Sequence, residues 1–193
     1  AMMVLAAALI QCASEFNVEA EHTGISVKVF VAAEIFPHLK EHAILNPAKY
    51  ARDPVYLQWW PRDLIHLVAW RFGKFLAAQP ELAATVPNQI DWTNFEAVLE
   101  GLWYPYFGRT VTNKLGVEEQ TFPYLLRHTQ MRPRQLVQIC NAIAKEARRQ
   151  GYGVEFWRVD IPQVMRTVEL ELADEVINSF AEIYWEDKLM PYI

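Results

Sequence analysis

Three arginines, Arg127, Arg132 and Arg134, surround the predicted start of a long helix. A helix N-terminus already carries a partial positive charge and unpaired N–H groups, so basic side chains there are unfavourable unless a negative group neutralises them. One such group is a bound phosphate. Another is a carboxylate of the same chain, since the sequence contains 23 Asp and Glu against 18 Lys and Arg. The residues alone leave both interpretations open.

The histidines could in principle support catalysis or metal binding, but the surrounding sequence favours neither. His66 and His128 have no serine or cysteine nucleophile at a recognisable spacing, so we predict no catalytic residue. His38 and His42 are four residues apart and Glu34 lies one turn earlier, which is the spacing of metal ligands on one helix face. Because the sequence fixes no third ligand, we predict an exposed polar helix face there and no metal site.

A resemblance to known proteins begins at residues 124–147, YLLRHTQMRPRQLVQICNAIAKEA. This segment resembles the lid of bacterial P-loop ATPases of the AAA+/STAND group, in particular the KAP-like and origin-recognition-like members. In such ATPases a sensor 2 arginine at the start of this helix reaches the nucleotide phosphates. The resemblance implies that role for Arg134, with Arg132 and Arg127 as neighbouring nucleotide-binding candidates.

The resemblance extends upstream of the lid. Residues 5–17 resemble the helix after the Walker B strand, residues 27–36 the sensor 1 strand, and residues 53–72 the strand and helix that lead into the lid. Together these segments cover most of residues 2–150. The order of the segments, more than any one of them, indicates the C-terminal half of an ATPase module.

The nucleotide-binding half of such a module is missing from the sequence. No GxxxxGK[ST] loop occurs, and no apolar strand ends in the paired acids that hold Mg²⁺. Ala32-Ala33-Glu34 stands where the resembled family commonly has Arg-Ser-Asp. We therefore expect no ATP hydrolysis and no cofactor for this chain alone, and ATP or ADP with Mg²⁺ only in a complete parent protein.

The composition indicates an ordinary globular protein. Of the 193 residues, 52% are hydrophobic and 13% aromatic, which is enough for one good core or two small ones. Two cysteines, Cys12 and Cys140, predict reduced, buried thiols. The apolar residues 1–10 are too few to span a bilayer and lack a basic leader. We expect a cytoplasmic protein with no membrane contact.

Sequence periodicity predicts a mainly α protein with a small β component. The predicted helices are 2–17, 33–41, 61–79, 94–103, 118–127, 133–150 and a final long helix capped by Asp160. Apolar alternation predicts a strand at 25–31, and a second short strand is predicted at 55–58. Together these elements suggest the remnant of a parallel α/β sheet, followed by a helical lid bundle.

Two short strands cannot form a stable parallel sheet by themselves. The partners of the strand at 25–31 should therefore come from a missing N-terminal half, from another protein or from a second copy of this chain. We expect a partial ATPase core at residues 2–79 and a helical lid and C-terminal region at 80–193.

The region after Gly151 bears on the choice of partner. Residues 156–184 resemble the start of the winged-helix region that follows the lid in origin-recognition proteins. The many acids between Glu155 and Glu182, with few basic residues, disfavour nucleic acid and favour a protein partner. Two functions remain: a non-catalytic C-terminal portion of a P-loop ATPase, or a regulatory or scaffold module without a nucleotide role.

Overall fold

A computed structural model describes residues 2–33, 36–42, 44, 46–50, 54–87 and 89–181. The described chain is mainly helical with one small sheet, which confirms the predicted fold class. It forms two compact units, residues 1–58 and 59–193. The boundary precedes the predicted one at 79/80, because the helix Pro61–Ala77 contributes to the core of the second unit.

The described part of the first unit contains three helices around a small apolar cluster. These are α1 (Met2–Glu19), α2 (Phe36–His42) and α3 (Pro47–Tyr50), with a 3₁₀ turn at Glu21–Thr23. Ala7, Leu39 and Ile44 form the cluster. Cys12 of α1 is exposed, so the prediction of two buried thiols is wrong for this residue.

The strands predicted at 25–31 and 55–58 are wrong. Neither segment belongs to a sheet in the described part of the chain. A strand needs a hydrogen-bonded neighbour, and alternation in the sequence cannot supply one. For Val27 the neighbour is a side chain: Asn17 Oδ1 accepts the Val27 N–H at 2.6 Å, and Asn17 Nδ2 donates to the Val27 carbonyl at 2.8 Å.

The second unit begins with α4 (Pro61–Ala77), where Pro61 occupies the first helical position and Asp63 accepts the Trp60 N–H at 3.1 Å. A later helical stretch comprises α5 (Phe95–Val98), a π-helical turn (Leu99–Trp103) and α6 (Tyr104–Phe107). Asn94 caps its start. Pro105 lacks the N–H that an α-helix would use at this point, which accounts for the wider turn before it.

An antiparallel hairpin follows, formed by β1 (Thr110–Thr112) and β2 (Glu118–Gln120), with Val111 opposite Glu119. The predicted helix at 118–127 is therefore wrong in its first three residues, and the helix α7 covers Thr121–Leu126. The side chain of Asn113 accepts N–H groups of the hairpin turn, and Gly116 adopts φ +77° there. This local turn chemistry overrides the weak helical pattern.

Two long helices complete the unit. The helix α8 covers Pro133–Arg149, as predicted from Pro133, and Gly151 with φ +77° ends it. The helix α9 covers Ile161–Ala181, and Asp160 Oδ1 caps it by accepting the Gln163 N–H at 3.1 Å. No described helix is both long enough and apolar enough to cross a bilayer.

An aromatic group forms the centre of the second unit. Trp103 is fully buried, stacks on Phe107 with ring centroids 4.1 Å apart, and meets Phe122 edge-on at 5.2 Å. Leucines and isoleucines of α4 and α8 and the inner residues of α9 surround this group. The core holds in place the α7–α8 turn, where the predicted site residues lie.

Candidate functional site

The turn between α7 and α8 has an unusual backbone. Gln130 and Met131, neither of them glycine, adopt φ values of +46° and +59°. Such conformations cost free energy and persist only where the surroundings fix them. Here Thr129 is fully buried, and its hydroxyl donates to the Leu126 carbonyl at 2.6 Å. The surrounding residues thus fix the backbone of this turn. Arg127 lies just before the two residues, and Arg132 and Arg134 follow them.

Arg127 is held by a carboxylate of the hairpin. Its guanidinium donates to both oxygens of Glu119, at 2.6 and 2.8 Å, and lies 4.6 Å from the centre of the Tyr124 ring. Asn113 Nδ2 donates to the same carboxylate at 2.8 Å. The hydrogen bonds from Arg127, and then that from Asn113, lower the pKa of Glu119. The Arg127 guanidinium is therefore paired with a carboxylate of its own unit, while 49% of its side chain stays exposed.

Arg134 lies in the first turn of α8 and contacts a different element. Its Nη1 is 3.5 Å from Oε1 of Glu175 on α9, and 76% of its side chain is exposed. An ion pair this long and this exposed contributes little to stability. Arg132 occupies the N-cap of α8, is half-buried, and accepts the N–H groups of Gln135 and Leu136 on its carbonyl.

The three arginines are thus close in sequence, but two of them face carboxylates on separate elements. Arg127 faces β2 and Arg134 faces α9. The spacing of the arginines is evident in the sequence, whereas their pairing with these acids is not. No local pattern could have revealed Glu175, which lies far along the chain from Arg134.

A second carboxylate of α9, that of Glu169, contacts two other elements. Its Oε1 is 3.0 Å from His128 Nδ1 in the turn, and its Oε2 is 3.3 Å from Lys114 Nζ in the hairpin. Burial is the main cause that lowers the pKa of His128, and Arg127 and Lys114 act in the same direction, against Glu169 and Glu119. His128 is therefore neutral at pH 7 and donates from Nδ1 to Glu169.

The His128–Glu169 pair resembles part of a catalytic dyad, but its geometry does not suit proton transfer. The second ring nitrogen, Nε2, is buried and makes no hydrogen bond within the described residues. A general base must reach the proton that it abstracts. The pair is better suited to joining the turn to α9.

The lowered pKa of His128 predicts a pH dependence of stability. As the pH decreases, His128 is protonated near pH 6.5 in the unfolded chain and only at a lower pH in the folded protein. The free energy of unfolding should therefore fall as the pH decreases through that region. Thermal unfolding at about pH 7.5 and about pH 5.5, at constant ionic strength, should show a smaller decrease in Tm for His128→Gln than for the unmodified protein. A matched variant of the exposed His22, His22→Gln, should retain the full decrease.

Two aromatic clusters of the sequence differ in their exposure. Tyr104, Tyr106 and Phe107 are buried in the core, whereas Trp59 and Trp60 are exposed. Burial raises the pKa of the Cys140 thiol to about 12, which keeps it protonated.

The structure leaves the possible metal ligands undecided. Glu34 and the side chain of His42 lie outside the described residues, so the prediction for that helix face stays a prediction. Among the residues that are described, no group of three or more His, Cys, Asp or Glu could hold a metal ion.

Comparison with known proteins gives a match over part of the region just described. Residues 100–155 match a family model described as the FunZ-associated C-terminal helical domain. The match spans the π-helical turn, the hairpin, α7 and α8, less than a third of the chain. No curated protein and no solved structure matches the sequence. Over residues 100–155 the chain is thus similar to a helical domain known from the C-terminal part of other proteins.

Proposed function

We propose that this chain is a non-catalytic helical accessory region of a larger protein, and that residues 59–181 contact another protein segment rather than a nucleotide. The proposal rests on the contacts that two of the arginines make with carboxylates. Arg127 is bound through two hydrogen bonds to Glu119, and Arg134 faces Glu175. Two of the three arginines that suggested phosphate binding thus face carboxylates of the same unit. The similarity of residues 100–155 to a domain described as C-terminal and helical also supports an accessory role.

A second candidate is the lid of a P-loop ATPase, and one observation favours it. Arg134 is 76% exposed at the start of a 17-residue helix, and its contact with Glu175 is long. A phosphate group could compete with Glu175 for this guanidinium. In this role an N-terminal ATPase half of a parent protein would bind ATP or ADP with Mg²⁺.

Nuclear magnetic resonance separates the two candidates, because it detects even weak binding. We expect amide signals of residues 132–136 to be unchanged when Mg·ATP or tripolyphosphate is added at millimolar concentration. Saturable shifts there that disappear in Arg134→Gln, but persist in the matched variant Arg166→Gln on the exposed face of α9, would contradict the proposal and favour the lid.

The size of the native protein tests the accessory role separately. An immunoblot of source cells with antibodies against this chain should show a band well above 22.4 kDa. A single band at 22.4 kDa would exclude an accessory region in a longer polypeptide.

A further inference from the structure

The segment 25–31 of the first unit carries the periodicity of a strand and lacks a sheet. Ile25, Val27 and Val29 alternate with Ser26, Lys28 and Phe30, and all six are exposed. Phe30 is 81% exposed. Val31 packs against the apolar cluster of the unit, and an extended backbone places Ile25, Val27 and Val29 on the same side, called the inner face, where they stay exposed.

One backbone edge of this segment is already occupied. In a strand, the N–H and carbonyl of one residue point to the same edge, and successive residues alternate between edges. Both groups of Val27 bind the Asn17 side chain, and the Ile25 N–H donates to Thr23 Oγ1 at 3.3 Å. Asn17 and Thr23 therefore occupy the odd-numbered edge at Ile25 and Val27. The N–H groups and carbonyls of Ser26, Lys28 and Phe30 make no hydrogen bond to the described residues and form the opposite edge.

We propose that a second copy of this chain pairs with the even-numbered edge, forming a two-stranded antiparallel ladder across a two-fold axis at Val29. The inference concerns residues 25–31 and does not depend on the function proposed for residues 59–181.

The residues of the segment match their own copy in this register. Val29 faces Val29 of the second copy, and Val27 faces Val31, so the inner face is continuous and apolar. Lys28 faces Phe30, which places an ammonium group beside an aromatic ring. A register centred on Lys28 would oppose two like charges and is disfavoured. A register centred on Val27 would extend into Gly24, whose φ of +72° ends the strand.

The segment also lacks the usual protection of an exposed edge. Residues 25–31 contain no proline and one charge, whereas natural edge strands are commonly blocked by prolines, several charges or bulges. An unprotected edge next to a self-complementary sequence favours pairing with an identical chain.

Proline substitutions in the full chain test the edge, with analytical ultracentrifugation as the readout. We expect the unmodified protein to approach twice 22.4 kDa as its concentration rises. Lys28→Pro removes an N–H group that the proposed interface uses. Because the dimer is symmetric, each dimer loses two such groups. The dissociation constant should therefore rise at least about tenfold. Val29→Pro removes an N–H on the opposite edge and is the matched control, for which we expect a clearly smaller change.

Cysteine substitutions test the register in a Cys12→Ser background. Opposite residues of a non-hydrogen-bonded pair have Cα atoms about 4.5 Å apart, which suits a disulfide. Mild oxidation should thus link Val29→Cys into dimers much faster than Lys28→Cys. A monomer at all concentrations, equal effects of the two prolines, or equal cross-linking at both positions would each overturn the proposal.

Discussion

Replacing Trp103 with alanine is expected to destabilise the second unit by about 3–5 kcal/mol, the range found for truncation of fully buried aromatic side chains. Trp103 has no exposed surface and contacts both Phe107 and Phe122 through its rings. Its removal leaves a cavity at the junction of the π-helical turn with α7, where main-chain shifts cannot fill the volume of an indole. Urea unfolding followed by far-ultraviolet circular dichroism measures the loss.

The matched control for this prediction is Trp70→Ala. Trp70 lies on α4 with 53% of its surface exposed. Truncation of a surface side chain usually changes stability by no more than about 0.5 kcal/mol. If the two variants lose similar amounts of stability, Trp103 does not occupy the centre of the core. A Trp103→Phe variant should lose less than Trp103→Ala, since the phenyl ring retains part of the stacking and removes a buried indole N–H that makes no hydrogen bond within the described residues.

Replacing Gln135 with methionine is expected to stabilise the protein by about 1–3 kcal/mol. Gln135 is 1% exposed in the first turn of α8, and neither its Nε2 nor its Oε1 makes a hydrogen bond within the described residues. Burial of an unpaired amide costs free energy, whereas methionine has a similar length, a similar helix propensity and no polar group to satisfy. The gain should appear as a higher Tm and a higher urea midpoint at an unchanged m-value.

Gln163→Met provides the control, because Gln163 is the third residue of α9 just as Gln135 is the third residue of α8. Gln163 is exposed, so we expect a change within about 0.5 kcal/mol. A loss of stability in Gln135→Met would mean that the buried amide has a polar partner that the fold requires. It would then be a candidate contact for a bound molecule beside Arg134.

The elements that the sequence predicts well are those with local signals. Pro133 and Gly151 mark both ends of α8, and Asp160 marks the start of α9, because caps and breakers act within one turn of the helix. The hairpin was missed, since its strands have only three residues each and its turn depends on the Asn113 side chain.

The errors have a common physical origin in contacts between distant residues. Alternation at 25–31 correctly indicates a preference for extended structure, but a strand exists only where a neighbour completes the ladder. The same limit applies to the candidate site. The spacing of the arginines is visible in the sequence. The contacts of Glu169 with His128 and of Glu175 with Arg134 depend instead on the packing of α8 on α9, which no local pattern encodes.

Glu169 also has a mechanical consequence. One carboxylate ties the hairpin, through Lys114, and the α7–α8 turn, through His128, to the same point on α9. Gln130 and Met131 keep positive φ values in this turn, so the conformation of the turn depends on contacts that its surroundings supply. The hairpin and the α7–α8 turn therefore share one anchor point on α9, and a change at Glu169 alters the fixing of both elements at once.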